Sequence, residues 1–125
     1  MSAESSGTGD IWVITEQREG QTRAASLALI GQARKLADAG RARGAAVCLH
    51  DGVKDADQLG AFGADRVYVV GGPVPDGWND DAYVKELSDL ARRESPVAIL
   101  ATSGALGSSV IPRVAMSLGT SVAAN

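Results

Sequence analysis

Short apolar runs and helix-periodic segments take turns along this chain, and that alternation limits the fold more than any other feature. "DIWVITE" (10–16), "AAVCLHD" (45–51), "DRVYVVG" (65–71) and "PVAILATS" (96–103) read as buried strands rich in β-branched residues, and "TSVAAN" (120–125) as the start of a fifth. Between them lie segments with helical spacing. In "LALIGQARKLADA", Leu29, Ile30, Ala33, Leu36 and Ala37 fall on one face, with Ser26 as the expected N-cap and Gly40 or Gly44 as the stop. "VKDADQLGAF" (53–62) reads as a short helix closed by Gly63. "AYVKELSDLARRE" follows Asp80 or Asp81 as its cap, with Tyr83, Leu87, Leu90 and Ala91 on one side. A last helix runs to about Leu118. Strands alternating with helices imply right-handed crossovers. The expectation is an open parallel α/β sheet, Rossmann-like, with helices on both faces and the usual order 3-2-1-4-5. "PVAILATS" is almost unbroken apolar, as suits a strand covered on both faces.

The chain has 125 residues, enough for one core, and its hydrophobic (45%) and charged (22%) fractions suit a globular domain. Aromatics are only 4%, so Val, Leu, Ile and Ala must build the interior. Residues 1–9 read as a disordered lead-in, without the basic and apolar regions of a signal peptide. Residues 10–125 form the expected domain. Because the last apolar stretch opens a strand and stops, a longer polypeptide is expected. A net charge of -3 with no basic stripe does not suit nucleic acid. No run reaches the length needed to span a bilayer. One cysteine, Cys48, and one histidine, His50, cannot assemble a zinc site of the usual kind, and a lone cysteine fits the cytoplasm.

Chemistry is expected at the carboxyl ends of the strands, where open parallel sheets bind ligands. "SGALGSSVIPRVA" (103–115) lies at that edge. Gly104 and Gly107 would let an anion approach the backbone of a helix start, and Ser103, Ser108 and Ser109 supply hydroxyls. The same residues equally make a tight turn, with Ser109 as N-cap and Pro112 in the first turn. The spacing Gly104-x2-Gly107, followed by Gly119-Thr120, resembles the glycine pattern of universal-stress-type nucleotide-binding domains. The second gap is eleven residues rather than nine. That resemblance implies a free-standing AMP- or ATP-binding domain as the alternative function. His50 beside Asp51 could be a catalytic pair or a turn in which Asp51 caps the next helix. Glu16, at the end of the first strand, is expected to be structural or to contact a ligand. Trp78 is either a lid on the core or an interface anchor. Arg113, near a helix start, opposes the helix dipole and needs a specific partner, either a carboxylate or another subunit.

Three stretches carry a second resemblance. "IWVITEQREGQTRAASLALIGQARKLAD" is similar to the opening of the alpha subunit of electron-transfer flavoprotein, with Glu16, Ser26, Leu27, Leu29, Ala33 and Leu36 matching. "GADRVYVV" (63–70) and "PVAILATSGALGSSVIPRVAMSLGTSVAAN" resemble later motifs of that subunit, most closely at Pro112-Arg113-Val114-Ala115 and Leu118. Where the family carries a basic residue and an Asp or Asn, this chain has Ser108-Ser109, and Asn125 stands for the family's Asp, marking a divergent member. The resemblance implies an N-terminal α/β domain of the adenine-nucleotide-hydrolase type, a scaffold and interface that is not itself an enzyme. It implies a beta subunit as partner, and FAD held by a C-terminal domain that these residues do not include. AMP, or a second flavin, would belong to the beta subunit. The assembled carrier would pass electrons from flavin dehydrogenases, such as the acyl-CoA dehydrogenases of fatty acid β-oxidation, to a quinone oxidoreductase.

Overall fold

The computed structural model describes residues 9–40, 42–48, 54–70, 80–102 and 109–119. β1 (Asp10–Thr15) is buried along its whole length. A small hairpin follows, β2 (Gln17–Arg18) against β3 (Gln21–Thr22), turned by Glu19 (φ 54) and Gly20 (φ 84). Then come α1 (Ala24–Gly40), β4 (Arg43–Cys48), a 3-10 segment (Ala56–Phe62), β5 (Arg66–Val69), α2 (Asp80–Glu94), β6 (Ala98–Ala101) and α3 (Ile111–Ser117).

The main sheet is parallel in the order β5-β4-β1-β6. Without the hairpin this is the expected 3-2-1-4; the fifth strand, placed at 120–125, lies outside the described residues. Register pairs Trp12 with Ala45 on one side and Ile99 on the other. Side chains alternate across β1, so each face collects its own core. Trp12 and Ile14 join Ala45 and Val47 beneath Leu87, Leu90 and Ala91 of α2 and Val114 of α3. Ile11 and Val13 join Ala46 and Cys48 beneath Ile30, Ala33 and Ala37 of α1, with Leu59 of the 3-10 segment. Each large apolar side chain removed from water contributes about 1.5–3 kcal/mol. Trp12 and Tyr68 also pack as rings, with centroids 5.6 Å apart and planes tilted by 50°.

Several local expectations need correction. Ser26 is not the N-cap of α1: the helix begins at Ala24, and Arg23 O accepts the amides of Ser26 and Leu27. Leu36 is 54% exposed, because it sits on the flank of the helix rather than on the face carrying Ala33 and Ala37. Within the stretch expected as a helix, Ala56–Phe62 is a 3-10 segment, not an α-helix, with Asp55 at its cap position; Asp51, the expected cap, lies outside the described residues. Asp55 makes no cap bond, because its carboxylate is engaged by Thr22. Gly63 does close this segment, at φ 121. Asp80 and Asp81 lie inside the first turn of α2, not before it. Val110, not Ser109, occupies the cap position of α3, while Pro112 stands in the first turn as expected. β6 is half-buried along its length rather than fully covered, since it ends the described sheet.

Candidate functional site at the carboxyl edge of the sheet

Parallel strands end together, so the fold collects Thr15, Glu16, Cys48 and Thr102 along one edge. In this strand order the direction of winding reverses between β1 and β6, the usual place for a crevice. Glu16 and Thr102 stand at that reversal. Thr102 Oγ1 donates to Glu16 Oε2 at 3.3 Å. The Glu16 amide donates to Ser26 Oγ at 2.9 Å, and its carbonyl accepts the Arg23 amide at 2.8 Å. Glu16 therefore ties the end of β1 to the first turn of α1 and to the end of β6.

A second polar group fills the edge between β1 and β4. Thr15 Oγ1 is 3.2 Å from Val47 O and 3.3 Å from Cys48 Sγ. Gln17 Nε2 donates to Thr15 Oγ1 at 2.7 Å and to Thr22 Oγ1 at 3.2 Å, and lies 3.8 Å from Cys48 Sγ. Thr22 donates twice to the buried Asp55 carboxylate, from N at 3.0 Å and from Oγ1 at 2.9 Å. The Lys54 amide reaches Gly20 O at 2.7 Å. The hairpin is thus bolted down over Cys48, whose thiol is wholly buried. Burial pushes the Cys48 pKa up, against the bonds from Thr15 and Gln17. A thiol held protonated in this way is a poor nucleophile.

The expected site residues are only partly brought together. Glu16 is at the edge as anticipated, with its carboxylate hydrogen-bonded. Arg113 has found a carboxylate within the same domain, pairing through Nη2 with Asp81 Oδ1 of α2. Arg92 of α2 makes a similar tie to α3, through Ser117 O at 3.1 Å and Ser117 Oγ at 2.6 Å. Ser109 immediately precedes the cap position of α3. Ser103, Gly104, Gly107, Ser108, Trp78, His50 and Asp51 lie outside the described residues. The Thr15–Gln17–Cys48 and Thr22–Asp55 groups were not anticipated. Two-residue strands are too short to show a period, although Glu19-Gly20 between polar residues is a hairpin signal.

Chemically, this edge is a set of polar groups that bond one another. Among the described residues no three His, Cys, Asp or Glu side chains are grouped to hold a metal ion. No helix there is long and apolar enough to cross a membrane.

The comparisons follow the same frame. The family profile described as "Electron transfer flavoprotein domain" matches residues 11–125. The alpha subunit of electron transfer flavoprotein from Megasphaera elsdenii is 40% identical over 116 residues, covering 92% of this chain and 34% of that protein. The alpha subunit from Thermoanaerobacterium thermosaccharolyticum is 36% identical over 117 residues, covering 93% of this chain and 36% of its own length. A protein named acryloyl-CoA reductase electron transfer subunit beta, from Anaerotignum propionicum, is 37% identical over 125 residues, covering 99% of this chain and 34% of that protein. The chain spans about a third of the length of these relatives. With its parallel sheet and its motifs falling on β1, α1, β5 and α3, the chain belongs to the electron transfer flavoprotein domain family, on the side of the alpha subunits.

Proposed function

We propose that residues 10–125 are the N-terminal α/β domain of an electron transfer flavoprotein alpha subunit, serving as scaffold and as interface with a beta subunit. The observation that carries this reading is the family match from Ile11 to Asn125, which takes in all of the described sheet but its first residue. The arrangement of the carboxyl edge supports a supporting role. Glu16, Ser26, Thr15, Gln17, Thr22 and Asp55 hydrogen-bond one another, so these donors and acceptors hold the domain together. We assign FAD to a C-terminal domain of the full-length subunit. The heterodimer would act as an electron carrier rather than an enzyme. It would take electrons from flavin dehydrogenases and deliver them to a quinone oxidoreductase, in the cytoplasm. The name of the Anaerotignum relative makes an acyl-CoA-linked donor or acceptor a reasonable class to try first.

The test is co-expression of the full-length subunit with the electron transfer flavoprotein beta subunit of the same organism, followed by purification on a tag placed on one of them. A one-to-one complex with a flavin absorbance spectrum is the expected result. A colourless protein that ignores the beta subunit but binds AMP or ATP in a calorimeter would overturn the proposal in favour of a free-standing nucleotide-binding domain.

A further inference from the structure

The hairpin between β1 and α1 turns one face to solvent. Its pairing sets Gln17 opposite Thr22 and Arg18 opposite Gln21. The Arg23 amide, bonded to Glu16 O at 2.8 Å, carries that register one step further. Opposed residues share a face, and successive pairs alternate between faces. Gln17 and Thr22 face inward, onto Thr15, Cys48 and Asp55. Arg18, Gln21 and Arg23 therefore share the other face, and all three are exposed.

Most cations of the described residues have a carboxylate beside them. Arg34, Arg43, Lys85, Arg92, Arg93 and Arg113 form ion pairs, and Asp10 and Glu94 act on Arg66. Arg18 and Arg23 have no ion-pair partner among the described residues. The same holds for Lys35, toward the far end of α1, and for Lys54. The Lys54 amide bonds Gly20 O at the hairpin tip, where Glu19 supplies the opposite charge. Glu16 is the one acid on the face of Arg18 and Arg23, and its carboxylate takes Thr102 at 3.3 Å. Arg18 and Arg23 are diagonal neighbours, about 7–8 Å apart, near enough to repel each other. The bonds from Thr22 to Asp55 fix the hairpin in place, so the two guanidinium groups are presented together.

We propose that this face is a docking face for the beta subunit, which meets Arg18 and Arg23 with a carboxylate-bearing surface. The inference rests on the reading of this domain as one part of a heterodimer. A redox partner must approach the flavin, which that reading assigns to another domain. A protein contact made here therefore belongs to the subunit that stays bound. Each guanidinium is a planar fork that matches a carboxylate. Exposed charges of this kind steer encounter and fix register, and salt screens them.

The test uses the full-length subunit co-expressed with the beta subunit of the same organism. Arg18→Lys and Arg23→Lys each place an amine where the guanidinium stood. A carbodiimide, which joins an amine only to a carboxylate in contact with it, is expected to link the new lysine to an Asp or Glu of the beta subunit. Mass spectrometry of the digest locates the link. Arg18→Glu with Arg23→Glu should raise the concentration at which the purified heterodimer dissociates by about tenfold at low salt. That difference should vanish at about 1 M salt. Neither side chain bonds to another described residue, so these variants should fold, and thermal melts check it. A wild-type subunit that forms no complex with beta overturns the heterodimer reading and this inference with it. A wild-type complex in which neither lysine links to beta overturns this inference alone. So does a charge-reversed complex that dissociates like the wild type at every salt concentration.

Discussion

Ser26 Oγ, wholly buried in the first turn of α1, accepts the backbone amide of Glu16 at 2.9 Å and so closes the end of the central strand. Ser26→Ala leaves that amide without a partner, at a cost of about 1–3 kcal/mol. Glu16→Gln keeps the amide bond and disturbs only the 3.3 Å contact with Thr102, so it should cost less than about 1 kcal/mol. Urea unfolding of the two variants should separate them clearly. A larger loss for Glu16→Gln would mean that the carboxylate, not the amide, holds the junction.

Glycine content is high, yet individual glycines should respond in opposite directions. Gly63 has φ 121, and a Cβ there would stand 3.0 Å from Arg34 Cβ. Gly63→Ala should therefore destabilise by about 1–3 kcal/mol. Gly31 lies inside α1 with nothing within 4 Å of an added Cβ. Gly31→Ala should stabilise by about 0.5–1 kcal/mol through helix propensity. Thermal denaturation of the two variants side by side checks the sign of each.

The Thr22–Asp55 pair invites a third comparison. Asp55 is 7% exposed and takes both its bonds from Thr22, so the carboxylate is the anchor of the hairpin. Asp55→Ala strands the Thr22 amide and hydroxyl and should cost about 2–3 kcal/mol. Glu19 occupies the left-handed region at the hairpin tip with φ 54. Glu19→Gly removes that penalty and should be neutral or stabilising by up to about 1 kcal/mol. Urea titrations report both values. Loss of stability in Glu19→Gly would mean that the Glu19 side chain contributes a contact worth more than the strain.

Which parts of this molecule were legible in its sequence follows from the range of the interactions involved. β1, α1, β4 and α2 announce themselves through apolar periodicity, because each buries one stripe or the whole of its length against the sheet. The parallel sheet followed from alternation of strands and helices and from crossover handedness; the strand order was taken as the usual one, since both rules are met by other orders too. The Arg113 requirement for a partner was readable, since a cation at a helix start is electrostatically disfavoured; its choice of Asp81 was not. The α1 cap was misread because its side chain has a stronger offer elsewhere. Ser26 bonds Glu16, so it does not cap the helix it sits in. That partner is 10 residues away in sequence, and propensity reasoning sees only local competition. Leu36 failed for a geometric reason, because it lies on the flank of α1, outside the stripe of Ile30, Ala33 and Ala37 that meets the sheet.

Acid stability should carry the mark of Asp65. Arg34, by its side-chain bond, and then the Gly44 amide hold the Asp65 carboxyl below its ordinary value of 3.8. A carboxyl depressed in the folded state adds stability that is complete above the unfolded value and is lost as pH falls through the folded one. The wild type should therefore lose this contribution below pH 3.8. Asp65→Asn never has it, so the difference between the two proteins should be constant near neutrality and vanish in strong acid. The pair is part-exposed, 28% for Arg34 and 40% for Asp65, so solvent screening limits the difference to about 0.5–1 kcal/mol. Urea midpoints measured from neutral pH down to about pH 2 trace the curve. A difference that grows on acidification would mean that Asp65 is protonated more readily in the folded protein, and that Arg34 spends its charge on Asp38 instead.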